Sequence, residues 1–223
     1  MDIGTAISKP FSDVKTLIMG IILLIIPIIN FLTIPGYLLR VASKVMNGDK
    51  ALPKFDNFGE LVVDSLKAIV TLFIHGIVYM IVALILAIIP IVGPILALIW
   101  MIVFSFIMIS GVLTLAQTKS IGAAINIPEL FKKAKSTQFI IAVIVALIIS
   151  WIIYAIIGVI VIAIFGAALM PTMLTGAVIT DPAQIMAMIG TLMGAGIIMY
   201  LLSSIVGFVL SVFAITLTAE AYK

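Results

Sequence analysis

The sequence has one histidine, and it stands inside a long run of apolar residues. His75 lies four positions after Thr71 and four before Tyr79, so the three share one face of a helix, with Asp64 on nearly the same face below them. Ionisable groups at membrane depth are expensive, and they mark substrate paths, proton relays or paired contacts. Asp64, Thr71, His75 and Tyr79 therefore form the candidate polar intramembrane site, a ladder able to line a pocket or pass protons. The competing reading is a neutral imidazole hydrogen-bonded to a neighbouring helix, a contact that contributes about 0.6–2 kcal/mol. No carboxylate falls inside an apolar run to partner the imidazole or bind a cation.

The second concentration of chemistry is the stretch 36–68, GYLLRVASKVMNGDKALPKFDNFGELVVDSLKA, which carries nine of the chain's twenty-one charged residues. Arg40 and Lys44 share a helix face, from which long stems snorkel to headgroups. Asn47-Gly48 supplies a helix stop, Leu52-Pro53 is extended, and Asn57 with Glu60 forms a capping-box pattern that restarts a helix at Phe58. On that helix Glu60, Asp64 and Lys67 make a polar stripe opposite Phe58, Leu61, Val62 and Leu66. This is the pattern of an amphipathic segment lying at the membrane surface before it becomes a span. The stretch is either a solvated connector or a docking surface. Downstream, IPELFKKAKS (127–136) reads as a short basic amphipathic helix, and its Lys132, Lys133 and Lys135 join Arg40 and Lys44 as candidate contacts to anionic headgroups.

Catalytic constellations are missing. There is no H-E-x-x-H, phosphate-cradling glycine loop or G-x-S-x-G elbow, and the absence of cysteine excludes disulfides, thiolate metal sites and cysteine nucleophiles. Asp49, Asp56, Glu60 and Asp64 are the only carboxylate cluster, and their spacing puts no three on one face. The chain is read as not an enzyme, with no metal and no cofactor. Ser105, Ser110, Ser150 and Ser211 would reach His75 only through packing. Along the last apolar run, Gly190-x-x-x-Gly194 continues through Gly196, Ser203, Gly207 and Ser211. Such small-residue faces let helices approach closely in lipid, either within the chain or between copies in a homo-oligomer. Met170, Met173, Met186 and Met188 nearby suit an adaptable contact surface.

The elements that must position these groups follow from hydropathy. Sixty-five per cent hydrophobic residues, nine per cent charged and a mean hydropathy of +1.45 lie outside the range of soluble domains. The net charge of +3 sits in short loops beside apolar runs, where it sets topology and meets anionic lipid; a nucleic-acid partner is not expected. Strong spans run from Ala68 to Ile89 and from Ile95 to Ala116 around the Pro90–Pro94 turn. A second pair, Phe139 to Leu169 and Pro182 to Thr218, flanks a loop with Pro171 and Gly176, and Asp181-Pro182 restarts the helix. Both runs of this pair exceed one bilayer thickness and must tilt, break or protrude. Thr16 to Leu39 is either one interrupted span or a hairpin of two short helices turning at Pro27–Asn30. The hairpin puts all twelve Lys and Arg on one side, as the positive-inside rule favours.

The expected architecture is an all-α integral membrane fold: a helical bundle of four full spans plus an N-terminal, re-entrant-like short-helix hairpin, with cytoplasmic amphipathic segments. It forms a single polytopic domain over 1–223. Its parts are the N-terminal hairpin 10–46, a charged connector 47–67, a second hairpin 68–116, a basic loop 117–138 and a third hairpin 139–218. The expected location is the cell membrane, multi-pass, with both termini cytoplasmic. The N-terminal apolar run has no A-x-A cleavage site and is read as retained. A Pro and Phe segment precedes each hairpin, at Lys9–Asp13, Leu52–Asp56 and Ile127–Phe131, which is either an internal repeat or recurrent membrane-entry chemistry.

Pro27-x-x-Asn30, Gly36-Tyr37-x-x-Arg40, Leu52-Pro53-x-Phe55-x-x-Phe58 and Asp64-x-x-Lys67-Ala68 together resemble the signature of domain of unknown function 4013, a family of archaeal and bacterial integral membrane proteins. The resemblance covers roughly residues 10–90 and implies a polytopic fold with no established activity, substrate or catalytic residues. It departs at Ser65, where the family pattern leads one to expect Gly. Two functions of different class follow. One is a non-catalytic membrane assembly or scaffold protein with a cytoplasmic docking surface. The other is a transporter or lipid-handling protein with a polar site around His75.

Overall fold

The computed structural model describes residues 2–49, 51–175 and 181–222, except for the side chains of 164 and 167–175. Regular structure among these residues is entirely helical: α1 (Ile3–Ser8), a 3-10 turn (Lys9–Phe11), α2 (Val14–Ile25), α3 (Pro27–Met46), α4 (Phe58–Ala87), α5 (Val92–Thr118), α6 (Ile121–Ala124), α7 (Ile127–Ala134), α8 (Thr137–Thr175) and α9 (Pro182–Ala221).

Local chemistry sets the boundaries. The Asp13 carboxylate caps α2 by accepting from the N–H groups of Lys15 and Thr16 and from the Thr16 hydroxyl. Asp181 caps α9 through the Ala183 N–H at 2.9 Å, with Pro182 in the first turn. At the end of α3, Gly48 takes φ 82°, its N–H bonds the Val45 carbonyl, and the Asp49 N–H bonds the Lys44 carbonyl. This paired closure is a Schellman motif, and it needs the left-handed conformation glycine adopts freely.

The reversal between α2 and α3 is tighter than the sequence suggests. Ile26 alone is extended, and Pro27 opens α3 instead of sitting in a turn, because a missing N–H costs nothing at a helix start. Lys9 Nζ donates to the Asp49 carbonyl at 3.1 Å, joining the start of α2 to the end of α3. The arms are unequal, about 18 and 30 Å at 1.5 Å per residue.

Three further expectations need correction. Asn57 is left-handed (φ 49°) and its side chain caps nothing, so the capping box does not form. The Glu60–Lys67 segment is not a separate surface helix, because α4 runs unbroken from Phe58 and these residues extend the axis of the span. The backbone of α8 continues through Pro171 to Thr175, so no loop begins at Pro171; Gly176 and the side chains of Met170 and Met173 lie outside the described residues. The three Pro and Phe segments also take three conformations: a 3-10 turn at Pro10, non-helical chain at Pro53, and the first turn of α7 at Pro128.

Helix α3 sits at the centre, packed on α2, α4, α5 and α9. Tyr37, Leu39, Val41, Leu61, Leu113 and Phe208 are among its fully buried neighbours or members. It meets α4 backbone to backbone at Gly36, where a Cβ would collide with the Leu61 carbonyl oxygen and lie 2.7 Å from Ser65 Oγ. Four helices among the described residues are long and apolar enough to cross a bilayer: α4, α5, α8 (Thr137–Ala163) and α9. Their outward faces stay apolar, with Phe73, Leu84, Ile88, Trp151 and Ile162 all more than half exposed. Exposed apolar area of that extent marks a surface that contacts lipid or protein.

Candidate functional site

Arg40, near the end of α3, is the hub of the charged stretch. Its Nη1 donates to the Asp56 carbonyl at 2.9 Å and its Nη2 to the Asn57 carbonyl at 3.4 Å. Three carboxylates surround the guanidinium: Asp56 at 3.4 Å, Glu60 at 3.6 Å and Asp64 at 3.7 Å. Asp56 arrives from the loop while Glu60 and Asp64 are one turn apart on α4, so convergence comes from tertiary packing that linear spacing did not reveal. Asp64 also receives Lys119 Nζ, from just past α5, at 3.1 Å. Arg40 and Asp64 are nearly buried, whereas Asp56 and Glu60 are exposed. Arg40 therefore turns into the chain, toward these carboxylates and carbonyls.

Several other charges are also tied. Lys44 pairs with Asp49 at 3.0 Å, and the Ala51 N–H, with Lys44 beside it, holds the Asp49 carboxyl below its ordinary value. The Asp2 N–H donates to Glu220, bringing the two ends of the chain together. On α7, Lys132 pairs with Glu129 at 2.7 Å, Lys133 lies over the Tyr222 ring and Lys135 over Phe131.

The ladder divides. Asp64 belongs to the Arg40 hub. Thr71 and His75 are fully buried elsewhere, between α4 and α5. His75 Nδ1–H donates to the Thr71 carbonyl at 2.9 Å, its ring meets Phe104 edge-on at 6.0 Å, and Gly111 leaves the room in which it lies. Tyr79 is half-buried and packs on Phe104, while Trp100 Nε1 donates to the Tyr79 carbonyl. These side chains form a packed helix–helix contact. Ser110 serves the other face of α5, where the Tyr222 hydroxyl lies 2.6 Å from Ser110 Oγ and 2.7 Å from Thr114 Oγ1. Burial pushes the Tyr222 phenol above its ordinary value, against the opposing pull of these two bonds. This C-terminal latch went unread; its one sequence signal is the i, i+4 pair Ser110 and Thr114 in an otherwise apolar run.

The small-residue stripe divides too. Gly207 packs inside the chain, where a Cβ would touch the Tyr154 hydroxyl and Leu24, and Ser211 lines a cleft against α8. Among the described residues no atom lies within 4 Å of a Cβ at Gly190 or Gly194, and Ser203 is half-buried.

The profile of the family described as Protein of unknown function (DUF4013) matches residues 19–166, from the middle of α2 well into α8. The chain belongs to the DUF4013 family. No curated protein and no solved structure matches it. Within this DUF4013 chain Ser65 has a physical role. Pro35 interrupts the hydrogen-bond ladder of α3, and the next N–H, that of Gly36, donates to Ser65 Oγ at 2.8 Å in a buried setting.

Proposed function

We propose that this DUF4013 chain is a multi-pass cell-membrane protein that acts by assembling with copies of itself, and not by catalysis, with a charged collar, the 36–68 stretch around Arg40, as a docking surface on the cytoplasmic side. The observation that carries the reading is the outer half of the α8–α9 pair. The two helices have 39 and 40 residues, about 60 Å each, roughly twice the hydrocarbon thickness. Along α9 that half exposes Met186, Met193 and Ile197 beside Gly190 and Gly194, whose Cβ positions no atom of the described residues approaches within 4 Å. Close approach at small residues drives helix association in lipid. A transport or lipid-handling role centred on His75 needs that ring to meet water, and its burial against Gly111 and Phe104 weighs against it.

In nanodiscs of mixed anionic lipid, single-particle mass measurement is expected to show multiples of the 23.8 kDa chain. Gly190→Leu with Gly194→Leu is expected to return it to a monomer. A wild type that stays monomeric at membrane-like densities would sink the proposal.

The orientation is tested separately. The chain has no cysteine, so Asp2→Cys provides a single thiol. With the collar and its cations on the cytoplasmic side, as the positive-inside rule favours, this thiol is expected to resist an impermeant maleimide in intact cells and to react after lysis. Labelling of intact cells would reverse the assignment.

A further inference from the structure

We propose that the collar holds a binding cleft for a phosphate-bearing anion. A cleft of about 450 Å³ opens between the end of α3, the 51–56 loop and the residue after α5. Arg40, Lys44, Lys54 and Lys119 line it together with Ser43, and among the described residues Asp56 is the one carboxylate on its wall. Its volume falls in the range of small-ligand sites.

The arrangement of charge matters more than the count. Lys44 is held by Asp49, while Arg40 and Lys119 are held by Asp64, and neither of these carboxylates lines the cleft. They stand behind the cations and fix them. An ammonium has three donors, and Lys44 and Lys119 each spend one on a carboxylate, so donors remain for a ligand in front; the Arg40 guanidinium is engaged by Asp56, Asn57, Glu60 and Asp64 and frees a donor where Asp56 leaves. Lys54 is positioned by both its neighbours. Pro53 is buried, and the Phe55 ring stacks on Tyr37 at 4.0 Å and 12° between planes. Asp56 is exposed and its contact to Arg40 is long, 3.4 Å, so it is the counter-ion an incoming anion displaces. Lys44, Lys54 and Lys119, with the Arg40 charge beside them and one exchangeable carboxylate on the wall, suit a multiply charged phosphate better than a single carboxylate.

This inference goes beyond the assembly reading and holds equally for a monomer. The same chemistry comes from a phospholipid headgroup or from a soluble phosphate, and titration calorimetry on the full chain in non-ionic detergent separates the two. The probes are dihexanoyl phosphatidic acid and inorganic pyrophosphate, with dihexanoyl phosphatidylcholine as the control. Saturable binding of at least one phosphate probe is expected; the tighter of the two identifies the source. Lys44→Gln with Lys54→Gln is expected to weaken it at least tenfold. Lys54→Glu alone, at an exposed loop position, is expected to do the same and covers the case in which the double variant does not fold. Failure of both probes to saturate, an unchanged affinity in the variants, or equal binding of the choline lipid would each overturn the proposal.

Discussion

Gly36→Val is expected to separate α3 from α4 and leave a chain that cannot hold its native packing, and Gly36→Ala is expected to lose a large part of its stability. The Cβ position at Gly36 is occupied by the backbone of α4: the Leu61 carbonyl oxygen, with Ser65 Oγ at 2.7 Å and Ser65 N at 2.9 Å. A flexible side chain could rotate away, but a helix backbone cannot. Overpacking a core costs about 1–3 kcal/mol and occasionally more, and a backbone clash belongs at the upper end. Pushing the helices apart also breaks the bond from the Gly36 N–H to Ser65, and a buried donor left unpaired costs about 1–3 kcal/mol. Against a total stability of about 5–15 kcal/mol, the sum is severe. Ser65→Ala isolates the second part and is expected to lose about 1–3 kcal/mol without the clash. Gly59→Ala is the control. Among the described residues nothing lies within 4 Å of its Cβ position, and the change is expected to be neutral or to stabilise by about 0.5–1 kcal/mol through helix propensity. Thermal unfolding in detergent reads all four; equal losses at positions 36 and 59 would contradict the packing argument.

The same pair of residues shows what was legible in the sequence. Features governed by near neighbours were readable: the stop at Asn47-Gly48, the restart at Asp181-Pro182, the apolar runs of α4, α5, α8 and α9, and the helical IPELFKKAKS segment. Their causes act within a few residues, through left-handed glycine, a capping carboxylate, or hydropathy summed over a span. Features governed by distant residues were not. Ser65 looked like a minor departure from the family pattern until α3 brought the Gly36 N–H to its hydroxyl across 29 positions. Asn57 and Glu60 have capping-box spacing, but the Arg40 guanidinium claims the Asn57 carbonyl and attracts Glu60. The ladder through Asp64 and His75 is sound as helix periodicity, yet periodicity does not say which neighbour each residue meets. The partners are Arg40 and Lys119 for Asp64, and Gly111 and Phe104 for His75.

Arg40→Met is expected to destabilise by about 2–3 kcal/mol, somewhat less than the ~3–5 kcal/mol for breaking a fully buried pair. Methionine keeps the apolar stem and removes only the charge and its donors. Two of the three carboxylates are exposed and return to water with little consequence. The loss comes from Asp64, nearly buried, and from the Asp56 and Asn57 carbonyls, which lose their donor. Asp64 still has Lys119 at 3.1 Å, which is why the single change stops short of the full penalty. Lys119→Met removes the more exposed of the two partners and is expected to lose less than about 1 kcal/mol. With both cations gone, Asp64 is a poorly solvated carboxylate with no counter-charge. The double variant is therefore expected to lose about 1–2 kcal/mol more than the two single losses together, within the range for residues sharing one partner. Asp64→Asn added to the double variant is expected to recover most of that excess, because the amide carries no charge to strand. A cycle in which the two single losses simply add would mean that Asp64 is solvated well enough to need neither cation.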